Sequence, residues 1–130
     1  MTDFVLRALP EELAVCRLAP DAPRPTWAKG VFVSITRSLT ELSVICDEAS
    51  VPSDVRAERG WRALVLTGEL DLALVGVLKQ VLDPLAVAGV SVFVVSTFDT
   101  EFVLVRRFDA AVTALEEAGF EVLGASVETD

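Results

Sequence analysis

Residues 89–105, Gly-Val-Ser-Val-Phe-Val-Val-Ser-Thr-Phe-Asp-Thr-Glu-Phe-Val-Leu-Val, set two apolar runs, 90–95 and 102–105, on either side of the polar centre 96–101. β-Branched and aromatic residues dominate both runs, so each reads as a strand, and so short a centre joins them as an antiparallel hairpin. The hairpin gathers Thr97, Asp99 and Thr100 at one end of a sheet, a set of hydroxyls and a carboxylate suited to a small polar ligand. An echo lies earlier in the chain. Runs 31–36 and 42–46 are joined through Arg37-Ser38-Leu39-Thr40-Glu41; Val31-Phe32-Val33 matches Val92-Phe93-Val94, and Thr40-Glu41 matches Thr100-Glu101, with one extra residue in the first turn. Self-similarity at nearly fixed spacing is read as an internal duplication.

Around this hairpin the chain alternates. Runs 4–9 and 13–18 read as strand, turn, strand across Pro10-Glu11-Glu12, and Pro20, Pro23 and Pro25 make a loop of residues 19–25. Polar residues 47–60 contain Pro52 and end in Arg56-Ala57-Glu58-Arg59-Gly60, with 55–60 as the linker between an N-terminal part, 1–54, and a C-terminal part, 61–130. Run 61–67 is a strand closed by Thr67-Gly68. The period then lengthens: Leu70, Leu74, Val77, Leu78, Val81 and Leu85 share one helical face, with Asp71 or Gly68 at its start, Pro84 expected to kink it or split off its last turn, and Gly89 to end it. After the hairpin, Asp109 is expected to cap a second helix with Ala111, Val112, Leu115 and Ala118 inward, before Gly119 and a last strand over 120–127. The second part is thus strand, helix, strand, strand, helix, strand: the ferredoxin-like βαββαβ unit, α+β, with both helices on one face. The first part repeats the strands without room for either long helix.

Composition closes several doors. A net charge of −9 argues against nucleic acid or an anionic membrane, which need cationic residues to displace counterions. No apolar run approaches the ~20 residues that span a bilayer. The start, Met-Thr-Asp-Phe, has no basic segment leading into an apolar one, so no secretion signal is expected and a cytoplasmic location is. Cys16 and Cys46 lie far apart in apolar runs and the chain has no histidine, so they read as buried core thiols and not as a zinc site. The missing histidine also removes serine–histidine and cysteine–histidine nucleophile systems, and no metal or cofactor motif stands in their place.

Thr67-Gly68-Glu69-Leu70-Asp71 opening a helix, followed by Gly89-Val90-Ser91-Val92-Phe93 and Ser96-Thr97-Phe98-Asp99-Thr100, resembles the small tandem ACT-domain proteins of bacteria. These are similar to the ACT repeats of CASTOR-family arginine sensors and to aspartokinase regulatory domains. The resemblance implies a tandem duplication of the ferredoxin-like ACT fold, its N-terminal repeat reduced, and a non-catalytic regulatory role. The ligand it implies is a small molecule, most often an amino acid, bound at an interface between ACT units. The residues it carries over are Thr67, Gly68, Glu69, Leu70 and Asp71 before the first helix, and Ser96, Thr97, Phe98, Asp99 and Thr100 at the hairpin.

The chemistry of those residues is coherent. An α-amino acid offers a carboxylate, which suits N–H groups at a helix start, and an ammonium, which suits Asp99 with neighbouring hydroxyls and carbonyls. Gly68 as an ordinary turn, Asp71 as an ordinary N-cap and Asp99 as a turn residue bonded to its own loop are the structural alternatives. The ring of Phe98 reads by itself as partly buried packing; Ser38 and Thr40 read as a surface turn, and Glu11-Glu12 and Glu116-Glu117 as solvated pairs. Three functions compete: an amino-acid-binding module, an interaction or oligomerisation module that has lost its ligand and acts on a protein partner or a second copy, and an enzyme built on Glu69, Asp99 and Glu101 carboxylates.

Overall fold

The computed structural model describes residues 5–67 and 74–125. In chain order the elements are β1 (Val5–Leu18), β2 (Ser34–Arg37), β3 (Leu42–Asp47), a 3₁₀ turn at Glu48–Ser50, β4 (Ala57–Thr67), α1 (Leu74–Val87), β5 (Val92–Ser96), β6 (Glu101–Val105), α2 (Phe108–Glu117) and β7 (Glu121–Leu123). The chain forms two compact units, one of Met1–Pro10 with Arg62–Asp130 and one of Glu11–Trp61. β1 and β4 each contribute residues to both.

The larger unit is the α+β part. Its strands lie in the order β7-β1-β4-β6-β5. β6 pairs antiparallel with β4, Arg62 opposite Val105 through Val65 opposite Phe102, and with β5, Val92 opposite Val105 through Ser96 opposite Glu101. Leu64, Leu66, Val103 and Val105 line one face, and α1 lays Val77, Val81 and Leu85 on it while α2 adds Ala111, Val112 and Leu115. Both helices therefore cover the same face, as a βαββαβ unit requires. Each of these leucines and valines gains from losing water contact, at about 25 cal/mol per Å² of apolar surface.

Several local expectations are corrected. Pro10-Glu11-Glu12 is no turn: β1 runs unbroken from Val5 to Leu18. Its one flank pairs with β7 at Val5–Arg7 and with β3 at Leu13–Leu18, so Pro10, which has no N–H to give, falls where that partner changes. Residues 57–60, read as linker, form the start of β4. α1 runs through Pro84 to Val87, so its last turn is not split off; the carbonyl that loses its partner belongs to Gln80, which is exposed and can bond water. Leu70 and Asp71 lie outside the described residues. Asp109 is not the cap of α2: Arg107, at φ 54°, precedes the helix, and Asp109 sits in its first turn, where an acidic group favours the helix dipole. Ala118 is exposed and not inward. β7 is only Glu121–Leu123, and it pairs parallel with the first residues of β1, Val5 opposite Glu121 through Arg7 opposite Leu123.

The larger unit also buries a cation. Arg62 is 7% exposed, its Nε–H donates to the Leu9 carbonyl at 2.9 Å, and its guanidinium lies 3.9 Å from the centre of the Phe108 ring. A buried charge persists only when hydrogen-bonded and packed in this way.

In the smaller unit the strand order is β2-β3-β1-β4, and residues 11–61 contain no α-helix. β2 covers Ser34–Arg37 alone; Val31-Phe32-Val33 precedes it, so the expected strand start at 31 is corrected. Arg37 opposite Leu42 closes a hairpin whose turn is as long as that closed by Ser96 opposite Glu101. No extra residue separates the two turns, and by structural register Glu41 stands where Thr100 does, one place off the Thr-Glu match. Both turns are locked alike. Ser38 N–H donates to Glu41 O at 2.9 Å and Thr97 N–H to Thr100 O at 2.8 Å, each assisted by the hydroxyl of the turn's first residue.

Cys16 and Cys46 are both buried, on the same face of the β1–β3 pair. Burial, helped by the neighbouring Cys46 thiol, pushes the Cys16 thiol up from 9.0 to about 11. The fold thus favours the protonated thiol, and that contribution is intact below pH 9 and lost as pH rises toward about 11. Urea midpoints measured from pH 8 to 11 are expected to fall, with a shallower fall in Cys16→Ala; equal slopes in both proteins would contradict the buried placement. Iodoacetamide at pH 8 is expected to label the native thiols at least ~100-fold more slowly than the urea-unfolded ones.

Candidate functional site

The C-terminal end of β4 and the start of β6 lie side by side, because their register ends at Val65 opposite Phe102, two residues short of Thr67 and one short of Glu101. The β5–β6 turn adds Ser96 to Thr100 at the same end. Of the residues expected in the site, Thr67 therefore closes β4 near the hairpin tip, whereas Gly68, Glu69, Leu70 and Asp71 lie outside the described residues.

The hairpin itself divides into a locked base and an open tip. Thr97 Oγ1 donates to the Thr100 carbonyl and accepts from the Thr100 N–H, both at 3.1 Å, so this hydroxyl is spent on the turn. Phe98 is fully exposed; the expected partial burial is corrected. A ring at the second position of a four-residue turn points away from both strands and has no core to reach. Asp99 is also exposed, and none of the described residues bonds its carboxylate, so it is not the self-bonded turn residue of the structural alternative.

The buried residue is one that the sequence pattern leaves in the turn. Glu101 is 5% exposed, and Ser96 Oγ donates to its Oε1 at 2.5 Å. Its side chain shares the inner face with Val103 and Val105, by the two-residue alternation of a strand. That alternation is visible in Glu-Phe-Val-Leu-Val once the strand is started one residue earlier. No described cation lies within ion-pairing distance of this carboxyl. Arg17 instead pairs with Glu41 at 3.6 Å and Lys79 with Asp83 at 2.7 Å, both on the surface.

A second acidic group lies in the smaller unit. Glu11, Glu12, Asp47, Glu48 and Ala49 line a hollow of about 270 Å³. Glu11 Oε1 and Asp47 Oδ1 are buried without a hydrogen-bond partner among the described residues. Burial first, and then the charge of Glu11, raises Asp47 from its ordinary value of 3.8. Among the described residues no group of three histidine, cysteine or acidic side chains is placed to hold a metal ion. No helix of the described residues is long and apolar enough to cross a membrane.

A family model described as the ACT domain matches residues 56–117, and a model of an N-terminal domain matches residues 11–54. The crystal structure of a protein from Agobacterium tumefaciens is 35% identical, with a TM-score of 0.88 over 95% of this chain and 94% of that one. The chain carries an ACT domain over residues 56–117. This ACT protein is also similar to a Vibrio cholerae protein of unknown function, described as a possible transport protein, at 16% identity and a TM-score of 0.72 over 88% of this chain and 89% of that one. The regulatory subunit of aspartate kinase from Thermus flavus gives 9% identity and a TM-score of 0.60 over 88% and 96% of the respective chains. At these two lower identities the likeness is one of fold. No curated protein matches the chain.

Proposed function

We infer that this ACT protein is a non-catalytic, cytoplasmic regulatory module that binds an amino acid at the end of the larger unit's sheet. The observation that carries the reading is Glu101: a carboxyl group almost fully buried, held by Ser96 and lacking a described cation. Burying a carboxylate is costly unless a positive group compensates it, and an ammonium brought by a ligand would do so. Asp99 stands at the same tip with an unengaged carboxylate, able to reach the same ammonium or a cationic side chain. Residues 67–71 are assigned the ligand's carboxylate, with Gly68 allowing close approach to the backbone. The regulatory role of the Thermus flavus subunit supports extending the same kind of role to this chain.

The test is a thermal-shift screen of the purified chain against the common amino acids, since a ligand of the native state raises the melting temperature by mass action. One or a few amino acids are expected to raise it, and Glu101→Gln is expected to weaken that ligand by about tenfold or more, because one charge-assisted contact is lost. Asp99→Ala is expected to weaken it less, being exposed. No shift with any amino acid at about 10 mM would end the amino-acid reading.

A second reading has an observation of its own. Phe98 is wholly exposed, and β5, the last strand of its unit's order, carries the exposed Val92. An apolar tip beside a sheet edge favours docking to a protein partner or a second copy of the chain. Sedimentation of the wild type against Phe98→Asp decides it: a dimer that the substitution dissolves supports association, and a monomer in both leaves the ligand reading in front.

A further inference from the structure

The smaller unit holds a preformed concavity that the amino-acid reading does not use. Leu18, the loop 22–26 and Trp27 line a space of about 440 Å³, within the range of small-molecule sites. The loop is stiff by construction. Pro20, Pro23 and Pro25 fix its backbone, the Ala22 N–H donates to the Ala19 carbonyl at 3.0 Å, and the Arg37 guanidinium donates to the carbonyls of Pro20 and Ala22. Leu18, Ala22 and Trp27 pack against the buried cluster of Ala14, Cys16, Leu42, Val44, Cys46 and Val51, so the indole is anchored on one side while its other side borders the hollow. A site whose shape exists before binding loses little to ordering on binding.

Its polar side chains are Arg24, Thr26 and Trp27. Arg24 is exposed, and no described residue bonds its guanidinium. The Trp27 indole N–H can only donate, and the Thr26 hydroxyl can donate as well. No acidic side chain lines the space, in a chain whose net charge is −9. Apolar walls with an exposed guanidinium and no carboxylate among the lining side chains call for an apolar body that ends in an acceptor with negative charge. We propose that this concavity binds a small free carboxylic acid with an aryl or alkyl body, its carboxylate on Arg24 and its body along Trp27 and the proline walls. This site stands apart from the reading of Glu101 and neither requires the other.

The experiment tracks the two indole N–H signals of the full-length, ¹⁵N-labelled protein by NMR, with Trp27→Phe assigning them. Titration with 3-phenylpropionate is expected to move the Trp27 signal to saturation with a Kd of about 1 mM, a reasonable affinity for so small a ligand in an open site. The neutral amide, 3-phenylpropionamide, and the variant Arg24→Gln are each expected to bind about tenfold more weakly, since each removes the charge-assisted bond. Arg24 is exposed, so the variant should keep the wild-type melting temperature. Glu101→Gln should leave the titration unchanged, which separates failure of this site from failure of the amino-acid site. A Trp27 signal that does not saturate by about 20 mM overturns the proposal. So does an amide that binds as tightly as the acid, or an Arg24→Gln variant that binds as well as the wild type.

Discussion

Gly124→Val is expected to destabilise the protein by about 2–5 kcal/mol, the sum of a backbone and a packing penalty. Gly124 has φ +86°, a conformation that a β-branched residue strongly resists. A Cβ there would also stand 2.9 Å from the Ala8 carbonyl oxygen, backbone against backbone, with no flexible side chain to give way. That contact exists because β7 runs parallel to the start of β1, with Arg7 opposite Leu123 just before the glycine. Gly60 supplies the control: its φ is +84°, and a Cβ added to it meets nothing within 4 Å. Gly60→Val therefore carries the backbone penalty alone, about 1–3 kcal/mol. Urea midpoints of the two variants measure the difference. Equal losses would mean that Ala8 does not approach Gly124, and the parallel pairing of β1 with β7 would have to be given up.

That pairing marks the limit of what the chain discloses to inspection. The βαββαβ order is readable because each element has its own period: valine-rich runs for β5 and β6, and steps of three and four for Val77, Val81 and Leu85. Which strand takes which neighbour leaves no such trace. Residues 5–10 look like any apolar strand, and nothing in them says that they belong with β7 and not with the hairpin that comes after them in sequence. Pro10-Glu11-Glu12 misleads for a related reason: proline marks a turn only if the strand needs its N–H on that side. At the hairpin the polar residues of the turn invite a chemical reading, yet Thr97 is occupied by the backbone. Glu101 looks like one more turn residue, and only the pairing of Ser96 with Glu101 places it in the strand and so turns it inward. Phe98 misleads in the opposite sense: a large ring suggests the core, but its position in a tight turn keeps it from getting there.

Leu64→Ala is expected to cost about 3–5 kcal/mol, the lost transfer energy of the side chain together with the cavity left behind. β4 is the middle strand of the larger unit's order, and Leu64 is 0% exposed on its helix-facing side, among Leu66, Val81, Leu85, Val103 and Leu115. With both neighbouring strands hydrogen-bonded in place and both helices packed over it, little can move to refill the space. Ala63 tests the other face of the same strand. It is also 0% exposed and stands opposite Leu104, equally buried, so this strand is covered on both sides where an ordinary antiparallel strand would leave one side to water. Ala63→Leu adds volume where none is free and is expected to cost about 1–3 kcal/mol. An exposed leucine gives the baseline: Leu39→Ala, at a residue 97% exposed, should stay within about 0.5 kcal/mol of the wild type. If Ala63→Leu were as harmless as Leu39→Ala, the face of β4 that carries Ala63 beside Leu104 would be open to solvent. If Leu64→Ala were the harmless one, Leu64 and its partner Val103 would face outward, and Glu101, on the same side of β6 as Val103, would turn outward with them, removing the buried carboxyl on which the amino-acid site rests. The stability of two variants on β4 thus bears directly on the binding chemistry proposed at its end.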